Sequence, residues 1–307
     1  MELLPGDRAV RAEVDSEWGE VDERSAEIRT EIRFPSPNAM FPSPEVVNGN
    51  VGSFGVEYVA EMNGVRVAEA EKSGVRLDPH RTVVRLDARM ENGSIRDWWK
   101  SHIESGEESQ MRVKPRLRLN LAMSDIGVRV PSYRADIDTD VLGFLNEADR
   151  REKTVLGRTV FAVDEVDADW GEPDGDETPV KVTAAVENPT PFPVGFSDIV
   201  CDVRMNGVGV GDGGTVEGFS LGPGETDEVD LRVTLDNDRL PEWWATHVDN
   251  GEQTEITVDV YGAVDVFGNS SAPSPDVLGR SRDERPYRLK TVIRRRHVSV
   301  PWTGSKS

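Results

Sequence analysis

Several residue patterns in this chain place reactive side chains at spacings that chemistry uses. Gly218-Phe219-Ser220-Leu221-Gly222 has the G-x-S-x-G spacing of a nucleophile elbow. That motif works when a strand feeds a sharp turn and then a helix, so that the serine stands exposed beside a base. Here Pro223-Gly224 follows, and then the alternating run Val229, Leu231, Val233, Leu235, which reads as another strand. A turn between strands is therefore expected at Ser220. His102 and His247 each lie four residues after a tryptophan, Trp98 and Trp243, and so share a helical face with it. Neither has a second His or Cys at ligand spacing, which a zinc site would need. Both are expected to pack against aromatics or to cap a helix.

The remaining candidates are weaker. The single cysteine, Cys201, excludes an intramolecular disulfide and a cysteine-based zinc site, and its place in the run Ile199, Cys201, Val203, Met205 predicts a buried thiol. The acidic stretch from Asp164 to Glu177 breaks the D-x-[DN]-x-[DN]-G spacing of a calcium loop and reads as solvated. Asn92-Gly93-Ser94 and Asn269-Ser270-Ser271 are glycosylation sequons, and Arg294 to Arg296 is a short basic cluster. No nucleophile is paired with a base, no metal ligands gather and no loop cradles phosphate. The expectation is no catalytic, cofactor-binding or metal-binding residue and no cofactor.

The elements that hold these residues come in two copies. Val14-Asp15-Ser16-Glu17-Trp18-Gly19-Glu20 matches Val166-Asp167-Ala168-Asp169-Trp170-Gly171-Glu172. Met62-Asn63-Gly64-Val65 matches Met205-Asn206-Gly207-Val208. Trp98-Trp99-Lys100-Ser101-His102 matches Trp243-Trp244-Ala245-Thr246-His247, and both run on to a Gly-Glu pair, Gly106-Glu107 and Gly251-Glu252. Ordered blocks at nearly constant offset define an internal repeat. The second copy's Ser220 has no counterpart in the first, which reads Gly74-Val75-Arg76-Leu77-Asp78. The polar stretch beginning Asn146-Glu147-Ala148-Asp149 reads as a linker. The expected division is a first module over 8–145, a linker over 146–157 and a second module over 158–300.

Each copy reads mostly as strand. Phe54, Val56, Tyr58, Ala60 and Met62 alternate up to Asn63-Gly64, a pair that favours the two positive φ angles of a type I′ hairpin turn. Val84, Leu86, Ala88 and Met90 alternate likewise, as do Ile256, Val258 and Val260. Short strands at regular intervals point to an immunoglobulin-like sandwich. One helix interrupts each copy. Ser94 with Asp97 and, in the second copy, Asp238 are the expected caps; Gly106 and Gly251 are the expected stops. Ile95, Trp99, Ile103 and Leu240, Trp244, Val248 form the inward stripes. Trp98 and Trp243 fall about 100° round the helix, on an expected partly exposed flank that serves mainly as an anchor.

The composition narrows the class of function. The chain has 307 residues and a formal charge of −21, with 57 acidic against 36 basic residues. Lysine occurs only at Lys72, Lys100, Lys114, Lys153, Lys181, Lys290 and Lys306. Such a balance argues against nucleic-acid binding, which needs a basic footprint. An acid-rich, lysine-poor surface suits concentrated salt, where the Debye length shrinks to about 3 Å at 1 M, so a halophilic setting is expected. No apolar run approaches the roughly 20 residues of a membrane span, and Met1 to Val10 is too short and polar for a signal peptide. The chain as written reads as cytoplasmic; an anchor upstream of Met1 would make it membrane-attached or extracellular.

The second copy carries a family resemblance. Val186-Glu187-Asn188-Pro189-Thr190-Pro191-Phe192-Pro193, the Met205-Asn206-Gly207 hairpin and the Leu221-Gly222-Pro223-Gly224 turn resemble the water-stress-and-hypersensitive-response (WHy) domain of type 2, or atypical, late-embryogenesis-abundant proteins. The double-tryptophan helix followed by a histidine is similar to archaeal desiccation-related members, which often carry two such domains. The first copy departs, with Ser36-Pro37-Asn38 in place of Asn188-Pro189-Thr190. The resemblance implies a fibronectin-III-like sandwich, no cofactor and a role in drying or osmotic stress.

These readings converge on an all-β chain of two tandem immunoglobulin/fibronectin-III-like sandwiches, each with one short helix. The expected function is non-enzymatic stress protection through a hydrated acidic surface and weak contacts with client proteins or a membrane surface, without nucleic acid or a small-molecule substrate. The alternative is an envelope-associated interaction or adhesion module. Trp18, Trp170, Trp98, Trp99, His102, Trp243, Trp244, His247, Asn188 and Pro189 are the expected structural residues.

Overall fold

The structure, a computed structural model, describes residues 9–34, 51–76, 82–121, 124–129, 132–146, 150–155, 158–197, 199–215, 217–262, 264–266, 285–287 and 296–301. The chain divides into two compact units. Unit 1 comprises Met1–Trp98, Glu108–Ile137 and Thr291–Ser307; unit 2 comprises Trp99–Glu107 and Asp138–Lys290. Both are mostly strand, in curled antiparallel sheets. No helix among the described residues is long and apolar enough to cross a membrane.

Unit 1 is built on one nine-stranded sheet. Its strands are β1 (Ala9–Val21), β2 (Ser25–Phe34), β3 (Val51–Met62), β4 (Val65–Val75), β5 (Thr82–Glu91), β6 (Glu108–Leu121), β7 (Ser124–Arg129) and β8 (Tyr133–Asp138), with β20 (Arg296–Pro301) from the far end of the chain. The path is β20-β1-β2-β5-β4-β3-β6-β7, with β8 also paired to β6. Strand β5 shows why the sheet forms. Thr82, Val84, Leu86, Ala88 and Met90 are buried while every intervening residue is exposed, the two-residue period of a pleated strand with one dry face. Asn63 and Gly64 turn the β3-β4 hairpin at φ 48° and 85°, as the Asn-Gly pair predicts.

Unit 2 carries β9 (Arg151–Val155), β10 (Arg158–Trp170), β11 (Glu177–Glu187), β12 (Val194–Phe196), β13 (Val200–Met205), β14 (Val208–Gly214), β15 (Phe219–Leu221), β16 (Thr226–Asp236), β17 (Thr254–Tyr261), β18 (Val264–Val266) and β19 (Arg285–Tyr287). One sheet runs β19-β17-β13-β14-β16-β11-β10-β9 and a small one runs β15-β12-β18. Residues 151–155, in the polar stretch expected as a linker, pair along β10 as an edge strand. The order β17-β13-β14-β16-β11-β10 has the same sequence pattern as β6-β3-β4-β5-β2-β1 of unit 1.

Among the described residues three helices accompany the sheets: α1 (Ser94–Glu104), α2 (Gly143–Asn146) and α3 (Leu240–Asp249). Gly106 and Gly251, at φ 70° and 69°, end α1 and α3 in the left-handed conformation that glycine adopts without a Cβ clash. The expected caps are displaced. Ser94 Oγ donates back to Glu91 O, and Asn92 O accepts the Ile95 amide, so no Ser94-Asp97 box forms. Before α3 a short 3-10 turn spans Asn237–Arg239, and Asp236, not Asp238, accepts the Asp238 amide through its side chain. The extra turn moves the capping side chain two residues upstream, from the expected Asp238 to Asp236.

Candidate functional site

The repeated aromatic residues of the two copies serve as anchors. Trp98 and Trp99 of α1 and Trp243 and Trp244 of α3 are all buried, with at most 1% of their surface exposed. The partly exposed flank expected at Trp98 and Trp243 is absent, because each indole reaches the strand that follows its helix. In unit 1 Trp98 Nε1 donates to Ser109 Oγ at 2.9 Å; in unit 2 Trp243 Nε1 donates to Thr254 Oγ1 at 3.0 Å. A buried indole N–H needs such an acceptor. Trp99 Nε1 donates to Thr178 Oγ1, and its ring meets Trp170 and Trp243 edge-on at 5.9 and 5.6 Å. Trp18, on β1, is half-buried.

The sequence reading missed Glu107. It follows Gly106 with φ 64° and is buried. Its Oε1 accepts Trp170 Nε1 at 2.7 Å, and its Oε2 accepts Thr139 Oγ1 at 2.6 Å and the Val141 amide at 2.7 Å. Thr139 Oγ1 also bonds His102 Nε2 at 2.8 Å. Three donors converge on one buried carboxyl group and satisfy its acceptors. This is a clasp between chain segments. The repeated Gly-Glu pair was its only trace in the sequence.

His247 is fully buried between Trp243 and Trp244, with ring centroids at 5.6 and 5.3 Å. Its Nδ1 bonds Thr254 Oγ1 at 2.8 Å. Burial depresses its pKa from 6.5 to about 4, against a smaller opposing contribution from a backbone hydrogen bond at Gln253. The native state thus holds a neutral imidazole that the unfolded chain would protonate below about pH 6.5. Stability is fully present above that pH and falls as the medium is acidified toward pH 4, by about 2 kcal/mol between pH 7 and pH 5. Denaturant melts at those two pH values should show that loss in the parent. It should shrink by the same amount in His247→Phe, since carboxylate titration is common to both proteins. Equal losses in the two would remove the assignment.

Asn188 closes one end of unit 2. It is fully buried, and its Nδ2 donates to Phe192 O, Leu221 O and Gly222 O at 2.8, 3.1 and 2.9 Å. Its Oδ1 accepts the Thr190 amide and hydroxyl at 3.0 and 2.7 Å. Pro189, which follows, favours extended backbone at Asn188 and so presents the amide to both loops. Asn188→Ala removes five hydrogen bonds of a fully buried side chain at once, among them the buried one to Leu221 O, and should cost about 2 to 4 kcal/mol. Urea denaturation measures it, and a loss below about 1 kcal/mol would contradict the clasp.

Unit 2 contains an apolar cavity of about 450 Å³. The inward faces of β10, β11, β16 and β17 wall it with residues such as Val163, Val182, Leu231 and Val258. Phe196 and Phe219 stack at 4.5 Å on the small sheet, and Phe161 meets Phe196 edge-on at 5.4 Å. Phe144 and Leu145 of α2 also line it. Val163, Val182, Leu231 and Val258 face inward yet are only half-buried. Protein interiors normally leave few voids larger than a water molecule, so this interior is under-filled. Cys201 lies on the wall, buried as expected, and burial together with Asp202 and Asp212 pushes its thiol up to about 11, far from a reactive thiolate.

The other candidates separate. Ser220 sits inside β15, paired with Gly195 of β12, and a turn at Gly224 (φ 69°) leads to β16. The strand-turn-helix of a nucleophile elbow is not formed. No group of three or more His, Cys, Asp or Glu able to hold a metal occurs among the described residues. In the acidic stretch, Asp174 Oδ1 accepts the amides of Asp176 and Glu177, which lowers its pKa and makes it a turn residue. Asn92 is buried and its Nδ2 donates to Asp22 O at 2.9 Å, so that sequon is closed to a glycan in the fold. The sequon Asn269-Ser270-Ser271, Ser36-Pro37-Asn38, Arg294 and Arg295 lie outside the described residues.

Known proteins add one family match. The profile of the family described as Late embryogenesis abundant protein matches residues 183–274, a span that contains Asn188 and much of the cavity wall. Among solved structures, a crystal structure of a protein from Archaeoglobus fulgidus is 27% identical at TM-score 0.36, covering 42% of this chain and 99% of its own. A solution structure of an Arabidopsis thaliana protein is 10% identical at TM-score 0.29, over 45% of this chain and 87% of its own. A Bacteroides uniformis β-glucuronidase is 10% identical at TM-score 0.28, over 86% of this chain and 26% of its own. No curated protein matches the chain.

Proposed function

We propose that this chain is a non-enzymatic stress-protective protein of the late-embryogenesis-abundant type, active in drying or osmotic stress. The observation that carries this reading is the family match over residues 183–274. We further propose that it is a tandem of two WHy-type β-sandwich modules. The common strand order of the two units supports a duplication, as does the repetition of local detail. Asn63 and Asn206 turn equivalent hairpins, and each carboxamide oxygen accepts a backbone amide, from Gln110 and Glu255 respectively. The Glu107 and Glu252 amides return to His102 O and His247 O, both at 2.9 Å.

Protection would act through the surface. Fifty-seven carboxylates against 36 basic groups leave a hydrated, self-repelling exterior that keeps macromolecules apart as water is withdrawn. Clients would be met weakly, as proteins or membrane surface, in the cytoplasm. The test is to dry a labile enzyme with the purified chain, or with an equal mass of an unrelated protein of matching acidity. Better recovery with this chain is the expected result. Equal recovery would reduce the effect to bulk charge. A deletion strain that survives drying and salt shifts as well as its parent would favour the envelope-module alternative.

A further inference from the structure

The unit 2 cavity has an asymmetric chemistry. Its walls are aliphatic and aromatic, but strand β9 at the sheet edge carries two cations toward it. In the β9-β10 ladder Arg151 lies opposite Val163 and Lys153 opposite Phe161. Residues directly opposite in an antiparallel pair share a face, so both cations stand on the face that Val163 and Phe161 turn into the cavity. Arg151 and Lys153 are half-buried; Glu152 between them is exposed, and it and Asp164 also line the mouth. Long cationic side chains in this setting lay their methylenes on apolar surface and hold their charge at the mouth.

The acids at the mouth are already engaged. Arg150 bonds Asp164, Glu152 and Glu187. Lys153 forms no ion pair with any described residue. What sets Lys153 apart is its place, on the inner face of an edge strand beside Phe161. An apolar cavity of the size that holds small ligands, ending at such a cation, matches a molecule with a long apolar body and one anionic end.

We propose that unit 2 binds a single-chain anionic amphiphile, a long-chain carboxylate, with its tail in the cavity and its head at Lys153 and Arg151. The volume of about 450 Å³ corresponds to about fifteen spaces the size of a liquid water, and so to one extended or folded acyl chain, not two. The tail would complete the packing that Val182, Leu231 and Val258 lack. The head would find Lys153 in a site where apolar walls limit competition from water. The proposal is independent of the protective function, since a client surface and an internal ligand use different parts of the chain.

Binding is read on the full chain after delipidation, with a fluorescent polyene fatty acid as probe below its micellar concentration. The expected result is saturation at one probe per chain, competed by hexadecanoate and about tenfold more weakly by hexadecanol. Lys153→Glu should weaken the carboxylate about tenfold and leave the alcohol unchanged. Val182→Phe, which fills the wall, should weaken both, with a melting curve verifying that the variant folds. Probe uptake without saturation, or at several per chain, would overturn the site. Equal affinity of acid and alcohol, unaltered by Lys153→Glu, would overturn the head-group assignment. Unchanged binding in folded Val182→Phe would overturn the cavity as the location.

Discussion

Trp243→Ala should destabilise unit 2 by about 3 to 5 kcal/mol, a large share of what a domain of ordinary stability possesses. Trp243 is 1% exposed and lies within 6.1 Å, centroid to centroid, of Trp244 and closer still to Trp99 and His247. Truncation leaves a cavity that these rings cannot collapse into, since each is held by its own backbone. It also takes from Thr254 Oγ1 the donor at 3.0 Å, while His247 Nδ1 remains. Urea unfolding monitored by circular dichroism avoids reading the lost fluorophore itself. Trp18→Ala, in unit 1 and half-buried, should cost markedly less. In a double-mutant cycle with Thr254→Val, the two changes should fall short of additivity because they remove the same bond. A loss under about 1 kcal/mol for Trp243→Ala, or full additivity, would mean that the indole is not the anchor described.

The parts of this fold that local chemistry dictates were legible in the sequence. The alternation of β5 and the Asn63-Gly64 turn are enforced within a few residues, and the stripes Ile95, Trp99, Ile103 and Leu240, Trp244, Val248 are all buried. What covers the other flank of each helix was not legible. Trp98 and Trp243 are dry because Ser109 and Thr254, eleven residues on, return to accept their indole N–H groups. Strand β9 was hidden for a related reason. Its first four residues, Arg-Glu-Lys-Thr, are polar on both faces, and only the register with β10 shows that the two cations face apolar neighbours. The cavity was not legible either, since alternation places valines inward but says nothing of the distance to the facing wall. The Glu107 clasp gathers residues 32 to 63 positions away, beyond any local signal.

Raising KCl from about 0.1 M to about 1 M should raise the thermal midpoint by on the order of 10 °C, which reflects a few kcal/mol gained by a chain of this size. Two electrostatic effects oppose each other. Salt weakens the surface ion pairs, such as Glu57 with Arg118 and Arg85 with Glu31, both at 2.9 Å between strands, and Arg239 with Glu242 at 2.8 Å at the start of α3. These are exposed on at least one side, and pairs of that kind contribute about 0 to 1 kcal/mol each, so screening them removes little. The 21 uncompensated negative charges act in the other direction. Like charges about 10 Å apart cost about 0.4 kcal/mol per pair in water, and each carboxylate has several such neighbours on a folded surface and fewer on an expanded chain. At 0.1 M the screening length is itself about 10 Å, so about a third of this repulsion survives; at 1 M it is about 3 Å and nearly all is lifted. The repulsive sum is therefore the larger, and screening it favours the folded state. Sucrose at matched osmolality, which strengthens burial without screening charge, should give a smaller rise. A midpoint that is flat or falls with KCl would show that the ion pairs dominate, and with that the reading of the acidic surface as an adaptation to concentrated salt would be lost.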